Sequence, residues 1–397
     1  MSTVTAAYYQ SGETVTLSDQ VYQATEVDSY GVYVTDSGVL NLSNSTVIKS
    51  GDTTSDDNAS FYGLNSGILA TDGATINLTD CIISTTGDGA NAVFATGEGS
   101  VVNMSGGTIV TTADFAHGID ATYTATFTAD NVNIVTQGAH CAAVATDRGT
   151  GIMTFTNGTA TTYGWHSPGL YSTGTVTAIG STITAVGAEG GAIEGLNSLT
   201  ITDCDLTATL DHGIIVYQSE SGDAETGTAT VTMSGGTFNV AEGPVFYITN
   251  TDSVISISGV EITNPAGVII KASAGDWGDE GANGGIVAFT ADSQTLVGDL
   301  VVDSISTADV TLQNSSVLTG AINAENTAES MALTLDASST WSVTADSYLS
   351  SLVDADTTLV NIDDNGYTIY YDSSLSANEW LNSETYTLAD GGKLTPQ

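Results

Sequence analysis

Positive charge is what this chain lacks most. Lys and Arg total four in 397 residues: Lys49, Arg148, Lys271 and Lys393. Asp and Glu total 46, an ordinary share, so the net charge of −42 reflects missing cations rather than surplus acid. No basic patch can be assembled from so few cations, which excludes nucleic acid as a partner. An anionic membrane surface would repel the chain as well. Cysteine is also scarce: Cys81, Cys141 and Cys204 make an odd count without metal-ligand spacing. No run of about 18 apolar residues is present, so no membrane insertion is expected. The opening "MSTVTAAYYQ" lacks the basic start and apolar core of a secretion signal. An exported form is expected to have lost its signal ahead of it.

What remains is a chain that is 41% hydrophobic, enough for a large buried core, with a surface of Thr, Ser, Asn, Gly and Asp. Trypsin-like proteases find few cleavage sites there, which suits an extracellular or cell-surface setting.

A six-residue phrase recurs: "SGILAT" (66–71), "NAVFAT" (91–96), "HGIDAT" (117–122), "CAAVAT" (141–146), "PGLYST" (168–173). Its closing residue moves in steps near 25, with occasional long insertions. Inside the phrase the alternation has period 2, so each copy is a strand. One inward column reads Val32, Ile68, Val93, Ile119, Ala143, Leu170, Ile193, Ile214, Phe246, which stacks Ile119 directly on Ala143. Small residues such as Gly67 and Gly118 precede it and suit a tight bend. Further short strands follow in each coil, such as "SVVNM" and "TIVTT", and no helical pattern intervenes. Three strands per coil predict an all-β, single-domain, right-handed parallel β-helix of about 12 coils. Residues 1–29 are read as an N-terminal cap, 30–330 as coils, and 331–397 as aromatic-rich final coils with a C-terminal cap. Stacking at ~4.8 Å per coil puts Cys81 and Cys204 about 24 Å apart, beyond any disulfide. All three cysteines are expected to fill the stack.

The segment "LTLDASSTWSVTADSYLSSL" (333–352) resembles the last coils of pertactin-like passenger domains of bacterial autotransporters. "FYGLNSGILA", "ATDRGTG", "SPGLYSTG" and "GPVFYITNT" resemble bacterial surface β-helix proteins of adhesin-like type. The architectural likeness covers nearly the whole chain, but the motif match is specific over about 20 residues only; no outer-membrane barrel follows within this sequence. The resemblance implies an adhesin-like or structural surface protein.

The outward column of the phrase reads Tyr33, Leu69, Phe94, Asp120, Val144, Tyr171, Glu194, Ile215, Tyr247. Aromatic faces take sugar rings and carboxylates hold their hydroxyls. Loops at 145–151, 217–227 and 271–285 leave from one corner of the coil. The ligand-binding candidates are therefore Arg148, Tyr171, Glu194, Asn197, Gln218, Tyr247, Lys271, Asp276 and Trp277. The partner expected is a glycan or a surface protein, and self-association is a further possibility. The alternative is a carbohydrate-active enzyme, a polysaccharide hydrolase or lyase, with Glu194, Asp223 and Glu225 as candidate catalytic residues. Asp120 and Glu194 lie three coils, about 14 Å, apart, too far for a glycosidase pair at roughly 5–10 Å. Catalysis is therefore the lesser reading. His117 and His212 share a column but stand four coils apart, and His140 and His166 fall near one corner, so no metal ligands are assigned. Calcium is the one cofactor the acidic turns would accept, without a calcium-binding signature to fix it.

Overall fold

The computed structural model describes residues 4–397. It is an all-β parallel β-solenoid of about 16 turns, more than the dozen expected. The undercount has a physical origin. Late coils are shorter than the 25-residue step, with Leu296 to Leu318, Leu318 to Trp341 and Trp341 to Ile362 separated by 22, 23 and 21 residues. The phrase itself is no longer written there.

Two compact units divide the chain: residues 1–210 with 221–225, and residues 211–220 with 226–397. In the first unit each coil contributes one strand to each of three parallel sheets. The coil Ile119–Thr122, Thr126–Asp130, Asn133–Thr136 is representative. It pairs with Val93–Thr96, Val101–Ser105, Thr108–Thr111 on one side. On the other side it pairs with Val144–Thr146, Ile152–Thr156, Thr159–Thr162. Alternation decides which residues face in. Val102 and Met104 are buried, stacked on Ile76 and Leu78 below and Phe127 and Ala129 above. A Cβ added at Gly118 would lie 2.5 Å from the Ala143 carbonyl oxygen, so a side chain at this bend needs the coils to separate.

The register differs from expectation by one residue at Ile119 and by two at Tyr171. Ile119 pairs with Val144, not Ala143, and Asp120 with Ala145, not Val144. Tyr171 pairs with Ala192 rather than Glu194. The turns set this register. The Ala116 N–H donates to Cys141 Sγ (3.1 Å) and the Cys141 N–H to Ser167 Oγ (2.9 Å), fixing steps of 25 and 26. At a second turn the Ser181 N–H meets Cys204 Sγ (3.4 Å) and the Gly158 N–H meets Ser181 Oγ (3.1 Å). The cysteines are thus free, buried occupants of serine-like turn positions.

One helix, Asp56–Tyr62, breaks the expectation of an all-strand coil. Ser55 caps it by accepting from the Asn58 N–H, Asp56 and Asp57 face its positive end, and Gly63 closes it at φ 69°. In the second unit four strands continue the first-sheet pattern: Ile214–Tyr217, Phe246–Thr249, Val268–Ala272 and Asp299–Val302. Farther on, Trp341 stacks between Leu318 and Ile362, fully buried, its indole N–H on the Gly320 carbonyl at 2.9 Å. The chain closes with an antiparallel pair, Tyr386–Thr387 against Lys393–Pro396. Among the described residues no helix is long and apolar enough to cross a membrane.

Candidate functional site

The helix Asp56–Tyr62 lies over the outward face of the first sheet in the first unit. Thr122 Oγ donates to the Phe61 carbonyl (2.8 Å), and Asn91 Nδ2 to that of Ala59 (2.9 Å). Tyr62 and Tyr123 stack with ring centres 5.2 Å apart. The Arg148 guanidinium sits 4.1 Å from the centre of the Phe61 ring. It also reaches Asp223 (3.3 Å) and donates to the Gly222 carbonyl (3.1 Å). Of the candidates named from sequence, Arg148 and Asp223 are thus brought together, as a tie between loops and helix.

Beneath that cover lie three groups that sequence spacing alone does not join. His117 and Asp120 come from one strand and its approach, and Asp147 from the end of the next coil's strand. One ligand atom from each lies within 4.8 Å of the others, and all three residues are buried. His117 Nε2 and Asp147 Oδ2 are 3.4 Å apart. Asp120 has 0% exposure, and neither of its carboxylate oxygens accepts a well-formed hydrogen bond. Burial lifts its pKa well above the carboxylate range; the His117 imidazole pulls the other way and Asp147 adds to the rise. For His117, burial opposes the charged form, but Asp147, with Asp120 and the Ala142 carbonyl behind it, outweighs burial and raises the pKa. The signal available in the sequence was the pair His117 and Asp120 flanking one strand start; Asp147 joins them only through the coil register.

Glu194 is 1% exposed, with the Tyr171 hydroxyl donating to it at 3.3 Å and Asn197 bonded to its backbone carbonyl. Glu225 is exposed, its carbonyl accepting from the Leu196 N–H at 2.7 Å. In the second unit Tyr247 is the centre. His212 stacks on it at 4.5 Å, Lys271 Nζ stands 5.2 Å from its ring centre, and its hydroxyl donates to the Ala274 carbonyl. Tyr217 and Trp277 pack at 4.5 Å, Gln218 is buried, and Asp276 is exposed.

A second feature of the first unit is exposed. Phe115, His140 and His166 occupy equivalent turn positions in successive coils, where the preceding coil has Gly89. Phe115 and His140 stack at 5.0 Å, His140 meets Trp165 at 5.4 Å and His166 at 5.5 Å, and Trp165 and His166 stack at 3.5 Å. Trp165 is 61% exposed and the neighbouring Tyr163 54%. All three turn residues have φ between 51° and 55°, the left-handed region. That conformation costs a non-glycine residue roughly 1–2 kcal/mol. Burial and the neighbouring His166 lower the His140 pKa, favouring a neutral ring.

Compared with known proteins, the chain matches no family model and no curated sequence. What is established is the parallel β-solenoid itself.

Proposed function

We propose that this chain is a non-catalytic carbohydrate-binding solenoid of an extracellular or cell-surface protein, adhesin-like in role. The observation that carries the reading is the aromatic strip Phe115–His140–Trp165–His166. Its rings touch in an unbroken series, stacked at Phe115–His140 and Trp165–His166 and edge-on between the two pairs. Trp165 and His166 stand exposed while Phe115 and His140 are half-buried; exposed rings normally would not gather without a partner. A pyranose presents an apolar face to such rings and hydroxyls to the imidazoles at their edge. The near absence of Lys and Arg favours neutral or hydroxyl-rich ligands over polyanions. The hydrolase reading is the weaker, since Glu194 is buried against Tyr171 and Asp223 is engaged by Arg148.

The test is titration of the full chain with a panel of neutral oligosaccharides, read by tryptophan fluorescence and calorimetry. Trp165→Ala should weaken binding by about tenfold, ~1.4 kcal/mol, while Trp277→Ala in the second unit leaves it unchanged. Binding by the Trp165 variant equal to the parent's, or no binding by any member of the panel, overturns the reading.

A further inference from the structure

The geometry points to a divalent transition-metal site of the zinc type, formed by His117 Nε2 and the carboxylates of Asp120 and Asp147. This inference stands apart from the carbohydrate reading and does not depend on it.

Four observations converge. First, the 3.4 Å between His117 Nε2 and Asp147 Oδ2 is long for a charge-assisted hydrogen bond, which closes to about 2.7–2.9 Å. It matches the edge of a tetrahedron whose ligands stand ~2.1 Å from the ion, about 3.4 Å. Second, the Asp120 oxygens are wholly buried beside this pair without a well-formed hydrogen bond, a costly state that a cation removes. The widest separation within the trio is no more than 4.8 Å, so rotation of a carboxylate closes the shell. Third, His117 Nδ1 is buried without a hydrogen-bond partner, so no second contact commits the ring to another role. Fourth, the charges balance: a neutral imidazole, two carboxylates and one dication sum to zero, the condition for burying them together.

Ligand chemistry selects the class. Calcium takes six to eight oxygens, and an imidazole in a three-residue shell does not suit it. One nitrogen and two carboxylates, with a fourth position for water, suit zinc, cobalt or a related ion. The cover above the site comprises the helix Asp56–Tyr62 and the Arg148 tie to Asp223 and Gly222, which limits the access of chelators.

The experiment uses the full chain stripped of metal, then loaded with Zn2+, Co2+ or Ca2+, both as the folded protein and during refolding so that slow entry does not hide a site. The expected result is one Zn2+ per chain, in preference to Ca2+, and a Co2+ form with the intense visible bands of four-coordinate nitrogen and oxygen ligation. His117→Gln and Asp120→Asn should each weaken Zn2+ at least about a hundredfold with the parent's far-ultraviolet circular dichroism retained. The Co2+ spectrum of the unaltered chain decides the matter even if a variant fails to fold. Metal uptake by the His117→Gln/Asp120→Asn double variant equal to the parent's marks surface binding only and overturns the site. A pale six-coordinate Co2+ spectrum, preference for Ca2+, or no stoichiometric ion does so too.

Discussion

Replacing Lys49 by methionine should change how stability depends on alkaline pH, and the size of the change follows from the structure. Lys49 is fully buried, and its ammonium donates to the backbone carbonyls of Glu26 (3.1 Å) and Gly51 (2.5 Å). Burial lowers its pKa, Asp52 and Asp28 oppose the fall, and the outcome is about 8 against an ordinary 10.5. The unfolded chain therefore holds this proton over a pH range in which the folded chain has released it. Stability from this group is fully present above pH 10.5 and is lost as pH falls through 8. At 1.36 kcal/mol per pH unit the difference is about 3 kcal/mol. The assay is urea unfolding followed by circular dichroism between about pH 7.5 and 10.5, for the parent and Lys49→Met. The variant loses the donor to two carbonyls, so the informative quantity is the parent-minus-variant difference as a function of pH. It should rise by about 3 kcal/mol across that range. Tyr30, pushed up to about 12 chiefly by burial, shifts stability the other way at still higher pH. Both proteins share it, so it largely cancels. A difference that stays flat or falls with pH refutes the reasoning.

Other perturbations test the turns, ladders and ties. Burial raises the thiols of Cys81 and Cys204 and pushes Cys141 up to about 12. At about pH 8 a thiol reagent should therefore label no cysteine in the folded chain and all three in urea. Cys141→Ser should cost less than about 1 kcal/mol in a urea melt, since Ser167 fills the same turn position one coil on. Asn41, Asn77 and Asn103 form a ladder of side-chain amides at 2.8 and 2.9 Å; Asn77→Ala removes two of these bonds and should cost about 1–2 kcal/mol, read by the same melt. Arg148→Met should lower global stability by less than about 1 kcal/mol but speed amide hydrogen exchange at residues 147–151 and 221–225, where its tie to Asp223 and Gly222 is lost.

The solenoid was legible because its inward columns are rewritten in every coil, and apolar residues that return at one offset must stack turn over turn to bury one another. The exact stacking was less legible. Ala143, Val144 and Ala145 are all small or apolar, so the strand alphabet accepted either register, while Cys141 and Ser167 in the turn chose between them. The helix Asp56–Tyr62 carried its start and stop signals in "SDDNASFYG", but seven residues are too few for a periodic pattern to stand out. The trio His117, Asp120 and Asp147 depends on a neighbour one coil away and on a helix folded across it. Phe115, His140 and His166 sit in turns, outside the repeated phrase. Arg148 and Asp223 did meet, whereas Glu194 is buried against Tyr171, because the register there gives the Tyr171 column to Ala192.

Pairing between successive coils has a consequence for how such a chain lengthens or shortens. Val144 holds the place relative to Leu170 that Ile119 holds relative to Val144. Excising residues 119–143 would set Val144 on Val93, leaving two matching edges to rejoin and a stack shorter by ~4.8 Å. Evolution can therefore trim or extend this stack of coils in whole-rung increments, while a single-residue loss within a strand exchanges inside for outside along that rung. Copy number is the cheap variable here, and the cargo displayed on each rung the expensive one.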